Sequence, residues 1–324
     1  MLYPLTFQPI FKERIWGGRS LEHLFQKKLP PQIPIGESWE ISDRPGDASV
    51  IAHGPLAGRN LRWLMEHHQR DLLGDAEPAG DRFPLLIKLL DAREKLSLQV
   101  HPPAHLAAEL GGDPKTEMWY IAQAEPGAEL YIGLKRGMTR PEFERKVRDG
   151  TVADCFHRLP VKPGDAVFLP SGRVHALGAG IVLFEIQQNS DTTYRVFDWN
   201  RVGLDGKPRE LHVAQSLASI DFGDFEPGLA GGIPEGGLSL KRRSLAANPL
   251  FVVKEFHADR GAEMPVLPGR LQIIGVVSGV LEVADETHQI AVRSGEFCLL
   301  PACLGRVTCR AQSASVFLHV QAGE

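Results

Sequence analysis

Apolar and polar positions alternate every second residue through much of this chain, and glycine or proline closes each run after a few residues. A period of two marks short β-strands with one buried face. The clearest runs are LSLQVHPP (96–103), KTEMWYIA (115–122), LQIIGVVSGVLEV (271–283) and EFCLLP (296–301). Helical spacing is rarer. NLRWLMEHHQRDLLG (60–74) has Asn60 as N-cap and Gly74 as stop, and TRPEFERKVRDG (139–150) has Thr139 as cap, Pro141 early and Gly150 at the end. A third stretch, 210–219, is apolar at helical spacing. The pattern predicts a mainly β chain with a few helices, all before residue 220.

The Gly/Pro-rich stretch FEPGLAGGIPEGG (225–237) is the best linker. It divides the chain into a larger first domain, 1–235, and a small all-β domain, 240–324. An internal echo supports the division. Gly164-DAVFL-Pro170 in the first part matches Gly295-EFCLL-Pro301 in the second, each read as a turn and a barrel strand that stops at proline. At the offset of His175 the second copy has Arg306, so a shared unit keeps a ligand in one copy and has lost it in the other.

Composition narrows the function classes. With 43% hydrophobic and 23% charged residues the chain is ordinary for a globular protein, and 33 glycines and 24 prolines suit many short segments. A net charge of −4 argues against a nucleic-acid partner but leaves room for a small phosphorylated ligand, which needs only a local cationic cluster. No apolar run approaches a membrane span, and the start, MLYPLTFQPIFKERIW, lacks a signal-peptide layout. Cys155, Cys298, Cys303 and Cys309 form no CxxC pair and read as buried reduced thiols. The expectation is a cytoplasmic protein.

Alternation also places the chemistry. Ser97, Gln99 and His101 share one face of their strand, and Lys115, Glu117 and Trp119 share one face of theirs. His175 follows the turn after the Gly164 strand. Two imidazoles and a carboxylate, with an amide oxygen as a weaker donor, suit zinc and leave a position for water or substrate; iron or manganese fits the same donors nearly as well. The spacings are those of the two cupin signatures, and G-x5-P-x-G-x2-H is matched at every fixed position by Gly164, Pro170, Gly172 and His175. The fold class expected is therefore two cupin-type jelly-roll barrels, with helices inserted in the first and metal ligands in the first alone.

Longer motifs are more specific. RIWGG (14–18), GESWEIS (36–42), FPLLIKLLDA (83–92), LSLQVHP, KTEMWY, PSGRVHALG and EIQQNSDTTYRVFDWNR (185–201) together resemble the short bacterial class of type I mannose-6-phosphate isomerases. The long class has proline where this chain has Thr116, and its large helical insertion is absent. The resemblance implies one zinc ion, surrounded by Gln99, His101, Glu117 and His175, and an active-site role for Arg195. It implies interconversion of mannose 6-phosphate and fructose 6-phosphate through an enediol-type intermediate.

That reaction requires stabilised negative charge on the carbonyl oxygen, a base near C1 and C2, and cationic or hydroxyl groups at the phosphate. Lys115, its pKa lowered by a dication, is one acid/base candidate, and metal-bound hydroxide competes with it. Arg195 stabilises the enediolate or orients hydroxyls; its bland alternative is an ion pair with Asp191 or Asp198. Ser97 and Lys88 fall at the phosphate end by match to the family, and the alternative for Lys88 is a surface lysine. Trp16, Trp39 and Glu40 are candidates for the pocket wall. The rival functions are a non-haem iron dioxygenase and a non-catalytic sugar-binding cupin.

Overall fold

The structure, a computed structural model, describes residues 2–323. It is mainly β, as the alternation predicts, and every ladder within its sheets is antiparallel. The N-terminal part holds a six-stranded sheet in the order Ile10–Gly18, Ile35–Ile41, Leu85–Ala92, Ile181–Gln188, Glu117–Ala124, Ala166–Leu169. Against it lies a five-stranded sheet, Tyr194–Phe197, Leu98–Val100, His175–Leu177, Glu129–Leu134, Phe156–Pro160. The C-terminal part repeats the plan with six strands (Glu235–Gly236, Leu240–Ala247, Phe251–Ala258, Ser315–Ala322, Gln272–Ser278, Phe297–Leu300) and four (Glu263–Val266, Val307–Ala311, Val280–Ala284, Gln289–Arg293).

Each sheet pair encloses its own core. Trp16, Leu90, Trp119, Ile132, Val167 and Leu183 fill the first, and Phe256, Ile274, Val283, Val292, Val307 and Phe317 the second. A third core joins the outer faces of the two six-stranded sheets, where Ile87, Leu89, Phe184 and Ile186 meet Phe251, Val253, Phe297 and Leu318. This explains why Leu85–Ala92 is buried at every position and reads as a nearly unbroken apolar run: both of its faces are covered. The chain also crosses between the parts early, since Leu5 bridges Leu299. Residues 225–237 run along the seam, bridging Leu134 through Phe225 and Ala166 through Ala230 before joining the C-terminal sheet.

The helices at 60–74 and 139–150 form as Leu61–Leu73 and Arg140–Arg148, each capped as the sequence predicts. Asn60 accepts from the Trp63 N–H at 2.8 Å, and Thr139 from the Glu142 N–H at 3.4 Å. Leu61, Leu64, Met65, Leu72 and Leu73 bury one face of the first helix in the shared core. Replacing Asn60 by Ala is expected to cost about 1 kcal/mol of unfolding free energy in urea, with an unchanged slope. The helix at 210–219 is shorter than its apolar spacing suggests. It starts at Val213, and His212 before it makes no side-chain cap. Three short helices, Ser20–Phe25, Ala104–Ala107 and the 3-10 turn Val152–Cys155, are too brief to show a periodicity.

Two local expectations are corrected. Cys303 is exposed, unlike the other three cysteines, because it lies in the loop after the Phe297–Leu300 strand rather than on it. Arg306 is exposed too; the adjoining buried residue is Val307, the first of its strand.

Candidate active site

Each N-terminal sheet turns a row of polar side chains toward the space between the sheets. In the six-stranded sheet the ladder sets Trp39 beside Lys88, Lys88 beside Glu185, and Glu185 beside Trp119; one pleat on, Gln187 lies beside Glu117. In the five-stranded sheet Gln99 is flanked by His175 and Arg195. Directly opposed residues of antiparallel strands share a face, so these ladders bring together groups far apart in sequence. His101 follows the Leu98–Val100 strand, just before Pro102 and Pro103.

At the floor, His101, Glu117 and His175 converge: one ligand atom from each lies within 4.8 Å of the others. His101 Nε2 is 3.4 Å from Glu117 Oε1, and His175 Nε2 is 3.6 Å from Oε2. Backbone carbonyls settle the imidazole tautomers. His101 Nδ1 lies 2.7 Å from the Thr192 oxygen and His175 Nδ1 3.0 Å from that of Arg173. Each Nδ1 therefore donates, and each Nε2 presents a lone pair inward, the arrangement that outer carbonyls impose on metal-binding histidines. His101 Nε2 and both Glu117 oxygens are buried without a hydrogen-bond partner. Lys115 Nζ approaches Oε1 to 2.6 Å, as an ion pair off the hydrogen-bond direction. Buried lone pairs left unsatisfied are costly, and a divalent cation satisfies all three groups at once. The residues fit a metal.

Gln99 is near the cluster with its amide nitrogen inward. Its Nε2 is 3.3 Å from His175 Nε2, while Oε1 accepts from Ser97 Oγ at 3.3 Å. Rotating the amide by half a turn exchanges the two ends, which is what a fourth oxygen ligand from this residue requires.

Burial would raise the Glu117 pKa, but Lys115 and the two histidines overcome it and hold the carboxylate well below its usual range. Burial lowers His101 to about 4, with Lys115 adding to the effect and Glu117 opposing it. For Lys115, burial favours the neutral amine, yet Glu117 and Glu185 outweigh it and push the pKa up. A near-neutral Lys115 was expected only beside a dication, which would offset the Glu117 charge that now holds the ammonium.

Above this floor opens a cavity of about 510 Å³, lined by Lys88, Ser97, Gln99, Lys115 and Arg195 among others. Lys88 is not a surface lysine. It is 3% exposed, 3.1 Å from Glu185 Oε2, and over the Trp39 ring. Nor does Arg195 take the ion pair offered as its alternative. Asp198 is occupied by Arg201 and Arg209, and among the described residues no carboxylate lies within 4.0 Å of the Arg195 guanidinium. Arg195 Nε is buried and unpartnered. Trp16 lines the cavity, whereas Trp39 packs beneath Lys88. Glu40 lies elsewhere, accepting from Lys27 (2.7 Å) and Ser38 (2.6 Å).

Further lining residues escaped the sequence reading. Glu185 accepts from Trp119 Nε1 at 2.7 Å as well as pairing with Lys88. Glu37 accepts from Trp39 Nε1 at 2.7 Å and from Arg14; Lys88 and Arg14 overcome its burial and bring its pKa to about 2. A single carboxylate in one apolar strand and a single lysine in another was the available signal for the Glu185–Lys88 pair.

Over 329 aligned residues the sequence is 36% identical to mannose-6-phosphate isomerase ManA of Bacillus subtilis, covering 98% of this chain and 99% of that one. The chain belongs to the mannose-6-phosphate isomerase family. It is 35% identical to the mannose-6-phosphate isomerase of Streptococcus mutans over 93% of each chain. The family model "Phosphomannose isomerase type I, catalytic domain" matches residues 5–134. The crystal structure of the Bacillus subtilis mannose 6-phosphate isomerase superposes with a TM-score of 0.89 at 33% identity, over 98% of this chain and 99% of that chain. This family member is thus an isomerase by relationship, and no helix of its described residues is long and apolar enough to cross a membrane.

The buried histidines set a pH dependence for this isomerase. His101 and His319 fall from 6.5 to about 4 by burial, and His175 is lowered in the same direction. The unfolded chain therefore binds more protons below pH 6.5, so stability is full above 6.5 and declines as pH falls toward 4. Each of these histidines is expected to contribute a slope of up to about 1.4 kcal/mol per pH unit in the metal-free protein. Urea midpoints measured from pH 7 to 4.5 check this.

Proposed function

We propose that the chain interconverts mannose 6-phosphate and fructose 6-phosphate, moving a proton between C2 and C1 through an enediol-type intermediate, with one zinc ion held by His101, Glu117 and His175 and with Gln99 beside them. The observation that carries this reading is the set of buried, unsatisfied lone pairs on His101 and Glu117, next to a cavity that Gln99, Lys115 and Arg195 line. Bound there, zinc supplies Lewis acidity toward a sugar oxygen.

The chain's own groups divide the remaining work. Arg195 donates to the enediolate oxygens or to neighbouring hydroxyls, because it is the cavity guanidinium with no carboxylate to neutralise it and it stays protonated. Lys115 holds a proton against Glu117 and Glu185, which supports a role as proton donor to the sugar oxygen. It serves as base only after that proton has left. Ser97 and Lys88 take the phosphate end. The Lys88 charge is shared with Glu185, so its grip on a dianion depends on Ser97 as well. Trp16 and Leu96 cover part of the cavity and limit water around the intermediate.

Four free cysteines, three of them buried, fit a cytoplasmic enzyme, and the net charge of −4 fits a small-molecule substrate rather than a polyanion. Gln99 beside the histidines, with Lys115 and the free Arg195, suits a polar anionic sugar better than dioxygen chemistry.

Isomerisation in deuterated water, followed by NMR, tests the proton transfer. Solvent deuterium is expected at C1 of fructose 6-phosphate or C2 of mannose 6-phosphate. Turnover of neither sugar phosphate would end the isomerase reading. Lys115→Met is expected to slow the same reaction by about 10²–10⁴-fold with metal content retained.

A further inference from the structure

The C-terminal sheet pair carries a polar row in the same place as the catalytic one. In the N-terminal six-stranded sheet, strands three, four and five place Lys88 beside Glu185, Glu185 beside Trp119, and Gln187 beside Glu117. In the C-terminal sheet the same three strand positions place Lys254 beside His319, His319 beside Ile274, and Gln321 beside Gln272. Gln272 thus stands where Glu117 stands, and His319 where Glu185 stands. A neutral amide in place of the carboxylate removes the charged metal ligand, yet the row stays polar.

Ile274 joins the C-terminal core, but the polar members of the row do not. Lys254, His319, Gln272 and Gln321 border a cavity of about 420 Å³, whose wall also holds Arg242 and Glu235 and an apolar side made by Leu240, Phe256, Met264 and Leu267. Lys254 and Arg242 make no ion pair among the described residues; the carboxylate next to Lys254 in sequence, Glu255, accepts from Arg243 and Tyr120. Gln272 donates through Nε2 to the carbonyls of Leu267 (2.7 Å) and Arg270 (3.3 Å), so its Oε1 is left to accept from His319 Nε2 at 2.8 Å. His319 is therefore a neutral ring with its proton on Nε2. Its Nδ1 keeps a lone pair with no partner among the described residues, although the residue is only 8% exposed.

We propose that this cavity is a metal-independent binding site for a small phosphorylated polyol. Arg242 and Lys254 supply two cations for a phosphate dianion, and a guanidinium beside an ammonium is a common way to hold one. Glu235, Gln321 and His319 Nδ1 supply acceptors and an amide donor for hydroxyl groups, with Phe256 as an apolar side for the carbon chain. The back-to-back packing of the two six-stranded sheets links this site to the catalytic one through the shared core.

Equilibrium dialysis of the metal-loaded full chain against labelled fructose 6-phosphate, with inorganic phosphate as second probe, tests the site. The double variant Arg242→Glu/Lys254→Glu is expected to bind one sugar phosphate fewer per chain than the wild type, with isomerase turnover and melting temperature retained. That difference reads the second cavity alone, whatever the catalytic cavity binds. Lys254→Gln is milder for folding and is expected to weaken the same site roughly tenfold to a hundredfold. Inorganic phosphate is expected to bind there more weakly than the sugar phosphate. Equal stoichiometry and affinity in wild type and both variants would overturn the site, and equal affinity for the two probes would overturn its preference for a polyol.

Discussion

Replacing His101 by Ala or Glu117 by Gln is expected to abolish metal binding and to lower turnover by at least about a thousandfold. The two substitutions reach that result by different physical routes. His101→Ala removes an inward lone pair whose Nδ1 is anchored to Thr192, so the metal loses both a ligand and its orientation. Glu117→Gln removes the only carboxylate of the cluster and leaves the Lys115 ammonium facing the site with a neutral partner. A buried charge stripped of its partner costs about 3–5 kcal/mol. Glu117→Gln should therefore also lower the stability of the metal-free protein, whereas His101→Ala should lower it less. Metal content by elemental analysis and urea unfolding of the chelated proteins separate the two effects. A fully active Glu117→Gln protein would show that the carboxylate holds nothing the reaction needs.

The second large effect is expected at Arg195. Arg195→Ala should reduce kcat by about 10²–10³-fold while metal content and melting temperature stay near wild type. This split follows from what the guanidinium lacks. Arg201 and Arg209 bind Asp198, and Arg14 binds Glu37, but Arg195 has no carboxylate and a buried, unpartnered Nε. A group whose hydrogen-bonding capacity is unspent within the chain can be removed without breaking a native pair. Its loss should therefore appear in catalysis rather than in folding. Arg195→Lys keeps the charge and loses the planar fork, so an intermediate rate is expected. A melting-temperature loss of the size seen in core variants, with little change in kcat, would instead make Arg195 a structural residue.

Much of the site was legible because its residues sit at strand ends with fixed local chemistry. His101 stands before a Pro-Pro pair that ends its strand, and His175 follows a glycine turn, Gly172, with φ of 95°. Alternation alone then placed Ser97 and Gln99 with His101, and Lys115 with Glu117. What could not be read was anything set by the register between strands distant in sequence. Glu185 is one acid in an apolar strand, and only the ladder that sets it beside Lys88 on one side and Trp119 on the other makes it a wall of the cavity. The same holds for the Lys254–His319 row, since strands 251–258, 315–322 and 272–278 are neighbours in an order the chain does not follow. The Gly/Pro echo pointed only to a similar turn and strand in the C-terminal part. It said nothing of the polar residues facing inward there. Glu40 was misplaced for a related reason: it follows Trp39 directly, and neighbours along a strand face opposite sides.

His101, Glu117 and His175 are expected to hold a divalent ion on which turnover depends. The most direct test is to strip the chain with a chelator, titrate zinc back, and follow mannose 6-phosphate conversion in a coupled assay alongside bound metal. Activity should be lost on stripping and return linearly, with its break at one ion per chain, while His101→Ala shows neither binding nor recovery. Full turnover by the stripped chain, or recovery that continues well beyond one ion, would contradict it.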